Sequence, residues 1–121
     1  ITTEPNSLNT KARAIYETWG RECDSIKFLT IIPLNLTNSN LTLKDGGNFE
    51  ANFSDIGMPL LQPVDYKVEN YSKLTDKIYS SLKYIYLHYS DYDWYLKVDD
   101  DTFIFMDNLR TFLNRKKPCV R

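Results

Sequence analysis

The residues of this chain best suited to chemistry are three consecutive carboxylates, Asp99, Asp100 and Asp101. They follow directly on an apolar run, residues 94–98, and an amphipathic segment comes after them. Two like charges 4 Å apart repel each other by about 1 kcal/mol even in water. Such a cluster at the end of a strand therefore indicates a divalent cation with oxygen ligands. The alternative interpretation is a solvated turn or a helix cap, which consecutive Asp residues also form.

The acidic residues do not fit a calcium loop of the EF-hand kind. A loop that started at Asp99 would need Gly at its sixth position and Glu at its twelfth, where the chain has Ile104 and Arg110. A second pair of acids, Asp91 and Asp93, lies before the apolar run. We interpret that pair as a turn between a helix and a strand.

The element that must position the triplet is a predicted strand at residues 94–98. This run has aromatic and aliphatic residues on both faces, which is typical of a strand buried on both sides in a parallel or mixed sheet. Ligands of such sheets bind at the carboxyl ends of the strands. A second buried strand is predicted at residues 25–32, where Pro33 ends an apolar run.

Apolar spacing predicts three helices. The first covers residues 11–19 and is terminated by Gly20. The strongest signal covers residues 71–89, where apolar residues recur at steps of three or four. The third helix is opened by Asp107 as its N-cap and is ended by Pro118. It is predicted to turn three apolar residues inward: Leu109, Phe112 and Leu113.

Helices that alternate with apolar strands predict an α/β fold with a layered sheet. Residues 1–3 have the character of a strand tail, and the chain supplies only two or three strands, so we expect residues 1–121 to form part of one domain. The polar stretch at residues 33–65 has no sustained period of 2 or 3.6. It is predicted to be a long exposed loop.

The composition is that of ordinary globular protein, with 42% hydrophobic residues, 26% charged residues and a formal net charge of −1. No basic groove with interleaved aromatic residues is present, so a nucleic-acid partner is not expected. No stretch reaches the roughly 18 apolar residues of a membrane span, and no signal peptide is visible. Any targeting segment is expected outside this sequence.

The sequon N-x-S/T occurs four times, at Asn35, Asn40, Asn52 and Asn70. Chance predicts about 1.5 such sites for this content of Asn, Ser and Thr, so the excess favours glycosylation in a secretory compartment. The alternative is that an Asn-rich loop generates sequons by composition alone.

The remaining candidate ligands are few. Cys23 and Cys119 could form one disulfide, or each could pair with a cysteine outside this sequence. The single histidine, His88, lies late in a predicted helix, and we interpret it as a partly exposed C-terminal residue. One histidine and two cysteines are too few for a zinc site.

Two stretches carry a resemblance to a known family. Residues 93–102, Asp-Trp-Tyr-Leu-Lys-Val-Asp-Asp-Asp-Thr, continued by residues 107–110, closely resemble the metal-binding region of core 1 β1,3-galactosyltransferases. These are glycoprotein-N-acetylgalactosamine 3-beta-galactosyltransferases of the wider fringe-like β1,3-glycosyltransferase family. Residues 11–19, followed by Arg21 and Cys23, resemble the family's first helix. Residue 98 is Val where many relatives carry Ala, which is a conservative departure.

This resemblance implies a GT-A type fold, a Rossmann-like nucleotide-sugar-binding sheet flanked by helices, which is incomplete in this chain. It implies UDP-galactose as donor and Mn²⁺ between the acids and the donor diphosphate, in line with the preference of hard cations for carboxylate and phosphate oxygens. By resemblance Asp101 is assigned to the metal, Asp99 to the metal and to the ribose and uridine side, and Asp100 to support of either. A merely hydrogen-bonded Asp100 stays open.

The implied reaction is inverting transfer of galactose in β1,3 linkage to N-acetylgalactosamine on Ser or Thr of a glycoprotein, which is core 1 O-glycan synthesis. Inversion requires a carboxylate base. None is identified here, and in relatives it lies beyond the region that matches Arg121, so we expect the chain by itself to be inactive. The resemblance also implies a partner for Cys23 upstream of Ile1, the Golgi lumen, a type II membrane anchor outside this sequence, and homodimerisation as one option.

Three other interpretations stay open. The first is another fringe-like β1,3-glycosyltransferase, such as an N-acetylglucosaminyltransferase. The second is a non-catalytic relative that acts as a folding partner, against which the intact triplet argues. The third is a secreted glycoprotein-binding module, which explains the sequons but not a buried strand that ends in acids.

Four further residues lie where they could reach a nucleotide or the acids. Arg13 and Thr18 are placed near the carboxyl end of the first strand, where the nucleotide would lie. Trp19 completes a helix stripe, so we favour a packing role for it. Lys97 could pair with the acids, but we favour an ordinary strand residue.

Overall fold

The computed structural model describes residues 1–31, 41–44, 48–52, 57–62 and 70–118. Its centre is a mixed sheet of four strands in the order β1-β4-β3-β2. β1 and β4 run parallel, whereas β3 is antiparallel to both β4 and β2. The strands are β1 (Phe28–Leu29), β2 (Leu41–Lys44), β3 (Asn48–Asn52) and β4 (Pro59–Gln62).

The beginning of the chain extends the parallel part of this sheet. Thr2 forms isolated parallel bridges with Leu29 on one side and with Asp99 on the other. The Leu29 amide donates to the Ile1 carbonyl at 2.7 Å, and the Thr2 amide donates to the Val98 carbonyl at 2.9 Å. Residues 1–3 therefore lie between β1 and residues 98–99, as the predicted strand tail requires.

The helical segments are α1 (Arg13–Glu17), α2 (Leu74–His88) and α3 (Met106–Asn114). A π-helix, Leu8–Ala12, leads into α1, and single 3₁₀ turns lie at Pro5–Ser7, Trp19–Glu22 and Tyr71–Lys73. The helices predicted at residues 11–19 and 71–89 are thus confirmed. Gly20 is buried, and a Cβ there would lie 2.7 Å from the Ile15 carbonyl oxygen. The close approach of the backbone explains the glycine.

The sheet separates two apolar clusters. Phe28 and Leu60 are register partners that face the larger cluster, which contains Ile15 of α1 and Met106 of α3. The next residues along the two strands, Leu29 and Leu61, face the other side and pack with Tyr84 of α2. This alternation is the two-residue period of a strand. The predicted α/β class is therefore confirmed, with helices on both faces of the sheet.

For the described residues between 33 and 65, the prediction of a long exposed loop was wrong. Three strands, β2, β3 and β4, lie within it, and Leu60 and Leu61 of β4 are completely buried. The strands are only four or five residues long, and β4 buries consecutive residues on opposite faces. Neither feature produces the sustained periodicity by which strands are recognised in a sequence.

The prediction of a strand buried on both sides at residues 94–98 was also wrong. Trp94, Tyr95 and Leu96 are 42%, 42% and 50% exposed, and no regular strand is formed there. Only the end of the segment is bridged, to Thr2. The apolar side chains of this segment line an open cavity instead of packing against a covering element. The strand predicted at residues 25–32 is similarly reduced to β1.

The third helix differs from its prediction in both its start and its inward face. Phe105 is the N-cap residue, without a side-chain hydrogen bond, and Asp107 lies in the first turn. Leu109 is half-buried, but Phe112 is 57% exposed and has the Lys116 ammonium over its ring. The helix ends at Asn114, ahead of Pro118. Among the described residues, no helix is both long and apolar enough to span a bilayer.

Candidate functional site

The acidic triplet lies at the carboxyl end of the parallel segments. Asp99 is bridged to Thr2, and the chain then turns through Asp100 and Asp101. Thr3, which ends the neighbouring segment, is 97 residues away in sequence from Asp100 and in contact with it. The acids thus lie at the end of a segment that is bridged to residues 1–3, but this segment is exposed and forms no regular strand. In open α/β sheets this edge is where ligands bind.

Asp100 is the most buried of the three acids. Its side chain is 15% exposed, and its Oδ2 accepts a 2.7 Å hydrogen bond from the Thr3 hydroxyl. Its other carboxylate oxygen lies 3.8 Å from the Lys11 ammonium. Two groups thus hold this carboxylate in one orientation, which agrees with a supporting role for Asp100.

Asp99 is paired with a cation of its own segment. The Lys97 ammonium donates to Asp99 Oδ1 at 2.7 Å, and the Asp99 side chain is 54% exposed. This is the alternative that the sequence analysis did not favour for Lys97. An exposed pair of this kind contributes about 0.2–1 kcal/mol, so a stronger cation or a phosphate can displace either partner.

Asp101 is exposed, and within the described part of the chain its carboxylate has neither a hydrogen-bond nor an ion-pair partner. The three neighbouring acids therefore differ in environment. One is held by two groups, one is paired with a lysine, and one projects into solvent. Of these carboxylates, Asp101 can bind a ligand without giving up another contact.

The fit of a metal ion to these residues can be tested on their geometry. No group of three His, Cys, Asp or Glu side chains that could hold a metal occurs in the part of the chain that the structure describes. Cations such as Mg²⁺ are, however, commonly bound by one or two carboxylates together with substrate phosphates. Asp101 and the displaceable Asp99 fit that second arrangement. They do not form a closed metal cage.

The second acidic pair follows α2 directly. The turn at Asp91 comes two residues after the C-cap Tyr89, and both Asp91 and Asp93 are exposed. The Tyr95 hydroxyl donates to the Tyr89 carbonyl and ties this turn to the start of the following segment. The predicted turn is present and follows α2 directly. The segment after the turn is not a regular strand and is bridged only at Asp99.

The residues placed near the nucleotide have local partners. Trp19 is 4% exposed within the larger cluster, which confirms its packing role. Arg13 pairs with Glu17 at 3.4 Å, and the Thr18 hydroxyl donates to the Ala14 carbonyl at 2.6 Å.

An open cavity of about 580 Å³ extends between residues 92–98, α2 and α3, and none of the three acids lines it.

Sequence reasoning missed three residues that act on the triplet or on its neighbour: Thr3, Lys11 and Lys77. Lys77 is completely buried in α2, and its ammonium donates to the Thr3 carbonyl at 2.8 Å. Lys77, Ser81 and Tyr84 form a buried row at helical spacing, and each of these side chains carries a polar group. A search restricted to apolar stripes passes over such a row.

The predicted sequons divide into three groups. Asn70 is exposed and caps the turn before α2, with its Oδ1 accepting 3.0 Å hydrogen bonds from the amide and the hydroxyl of Ser72. Asn52 is the last residue of β3. Asn35 and Asn40 lie outside the described residues.

Of the two cysteines, Cys119 also lies outside the described residues. Cys23 is a free, half-buried thiol whose pKa is raised by burial.

Helices on both faces of a mixed sheet define an α/β protein, and proteins of this class commonly bind ligands at the carboxyl ends of their strands. The family model described as Galactosyltransferase matches residues 50–120, more than half of the sequence, and the chain belongs to that family. It is 30% identical over 115 residues to glycoprotein-N-acetylgalactosamine 3-beta-galactosyltransferase 1 of Xenopus laevis. The alignment covers 94% of this chain and 26% of that protein, so the chain spans about a quarter of the relative's length. No solved structure matches the chain.

Proposed function

We propose that this chain is the donor-binding part of an inverting β1,3-galactosyltransferase. In this proposal galactose passes from UDP-galactose to N-acetylgalactosamine on Ser or Thr of a glycoprotein. The family membership supports a galactosyl transfer, and the name of the Xenopus relative supports this acceptor and this linkage. The same relationship supports a GT-A type sheet for residues 1–121 and a secretory location. We propose the Golgi lumen with a type II membrane anchor as that location, and a homodimer as the assembly.

The observation that carries the proposal is the position of the acids at the carboxyl edge of parallel segments, next to Thr3. A nucleoside diphosphate is negatively charged, so acids at its site require an intervening cation. We assign Asp101 and Asp99 to a divalent cation, preferably Mn²⁺, which when bound would offset the negative charge on the departing UDP. Asp99 and Asp100 are assigned to the nucleotide side, with Asp100 as the support.

The contacts of the triplet agree with these roles. Asp101 projects into solvent and is available to a metal-bound diphosphate. The Lys97 ammonium, released from Asp99, could turn to a phosphate oxygen, since ammonium groups bind phosphate as point charges. The base that inversion requires is not assigned to any residue of the chain.

The test is transfer by the full-length protein with UDP-galactose, Mn²⁺ and a peptide that carries N-acetylgalactosamine. We expect transfer that is lost with EDTA and reduced about a hundredfold or more in Asp101→Asn, because charge stabilisation of the leaving group is worth tenfold per 1.36 kcal/mol. Asp93→Asn, which removes the same charge from the exposed turn, is the matched control and should keep full activity.

Each other result has a definite meaning. Transfer from UDP-N-acetylglucosamine but not from UDP-galactose would replace this donor with that of a fringe-like relative. Absence of both transfer and UDP binding in the presence of Mn²⁺ would contradict an enzyme and favour a non-catalytic relative. Full activity in Asp101→Asn would contradict the assignment of this residue.

A further inference from the structure

A buried lysine lies behind the acidic triplet. Lys77 lies in the N-terminal part of α2 and is completely buried, and its ammonium donates to the Thr3 carbonyl at 2.8 Å across 74 residues of sequence. Removing an ammonium group from water is costly unless it is well paired. A helix that only had to cover the sheet would be more stable with an apolar residue here. The position of Lys77 therefore calls for a reason beyond packing.

The group that Lys77 holds is the residue that holds Asp100. Thr3 is 3% exposed, and its amide donates to the Leu29 carbonyl at 3.1 Å. Its hydroxyl donates to Asp100 Oδ2 at 2.7 Å. The backbone of Thr3 is thus fixed on both sides, by β1 and by Lys77, and its side chain transmits that position to the carboxylate.

The position of Asp100 in turn affects its neighbours. Asp100 lies in the turn between Asp99, which is bridged to Thr2, and the exposed Asp101. A carboxylate anchored in the middle of three acids limits the directions in which the other two can point. Groups that orient ligands in this indirect way commonly change metal affinity by about ten- to a hundredfold when they are removed.

We propose that Lys77 is a positioning residue for the donor site, acting through Thr3 on the orientation of Asp100 and so on the cation affinity of Asp99 and Asp101. This inference rests on the proposed function, because it takes the triplet to be the site of a divalent cation and a nucleoside diphosphate. Neither Lys77 nor Thr3 needs to touch the ligand.

The test measures Mn²⁺ binding in the presence of UDP by the loss of the free Mn²⁺ signal in electron paramagnetic resonance. It uses the full-length protein and needs no turnover. We expect Lys77→Met and Thr3→Val each to weaken Mn²⁺ binding about tenfold. The double variant should bind Mn²⁺ no more weakly than either single variant, because the two residues act in one series. Lys83→Met, which removes a lysine from the exposed side of α2, should bind Mn²⁺ like the wild type.

Circular dichroism and thermal unfolding establish that each variant is folded before its Mn²⁺ affinity is compared. If Lys77→Met does not fold, Thr3→Val decides, because valine keeps the shape of threonine and removes only the hydroxyl. Wild-type Mn²⁺ affinity in folded Thr3→Val would overturn the inference while leaving the proposed function intact. Failure of the wild-type protein itself to bind Mn²⁺ with UDP would overturn the proposed function and this inference with it.

Discussion

The ammonium of Lys97 lies 2.7 Å from Oδ1 of Asp99, two residues further along the same segment. A lysine of the protein itself thus pairs with one of the three acids for which the sequence predicts a metal ion. The pair is exposed enough to exchange with solvent. In the proposed function a divalent cation binds at this carboxylate, so we expect Lys97 and the cation to compete for Asp99.

Substitution of Lys97 by Met should strengthen Mn²⁺ binding in the absence of nucleotide. An exposed pair contributes about 0.2–1 kcal/mol, so its removal should tighten Mn²⁺ binding by up to about fivefold. Titration of the full-length protein with Mn²⁺ by electron paramagnetic resonance measures the change. Lys83→Met is the matched control on the exposed side of α2. Unchanged or weaker Mn²⁺ binding in Lys97→Met would show that Lys97 and the metal do not compete.

Substitution of Leu60 by Ala should destabilise the fold by about 2–5 kcal/mol, because Leu60 is completely buried opposite Phe28. Urea unfolding followed by tryptophan fluorescence gives the change in the free energy of unfolding. Leu82→Ala removes the same atoms from a side chain that is 49% exposed and should cost much less. Equal effects of the two substitutions would contradict the burial of Leu60 and favour the exposed loop that the sequence predicts for residues 59–62.

Asn70 is expected to carry a glycan when the protein is made in a secretory pathway, since it is exposed and lies within a sequon. Asn70→Asp should remove one glycan, seen as the loss of one endoglycosidase-sensitive mass step. Asp caps a helix as well as Asn does, so this variant made in bacteria should keep its stability. Asn70→Ala also removes the cap and should cost about 1 kcal/mol. An unchanged glycan pattern in Asn70→Asp would exclude this sequon.

The Cys23 thiol should react with iodoacetamide more slowly than an exposed thiol at pH 8, because burial raises its pKa and leaves less thiolate. The alkylation rate of a Cys119→Ser variant should keep rising with pH above the ordinary range of a cysteine. In urea the midpoint of this profile should return to that range. Complete resistance of the denatured protein to alkylation before reduction would instead reveal a disulfide at Cys23.

The raised pKa of Cys23 also makes the free energy of unfolding depend on pH. Since the folded protein binds the thiol proton more tightly than the unfolded chain, the contribution of Cys23 to stability is complete below the pKa of the unfolded thiol. It is lost as the pH rises through the raised pKa of the folded state. The free energy of unfolding of Cys23→Ser should therefore fall less between neutral and strongly alkaline pH than that of its parent.

Sequence patterns determined the parts of this protein that depend on local spacing. The helices at residues 71–89 and 11–19 were predictable because a turn of 3.6 residues imposes a regular apolar spacing over several turns. A cation site was predicted at the acidic triplet because three adjacent charges are costly without a partner, and that site stays a prediction.

Tertiary structure alone decided the contacts between residues far apart in sequence. β4 was hidden in a polar stretch because its burial comes from pairing with β1, some thirty residues earlier. Residues 94–98 were expected to be covered on both faces, whereas Trp94 and Leu96 line an open cavity and are half-exposed. The contacts of Lys77 and Asp100 with Thr3 cross 74 and 97 residues. A local sequence pattern cannot predict such a contact, because the contact forms only when the sheet and α2 have packed together.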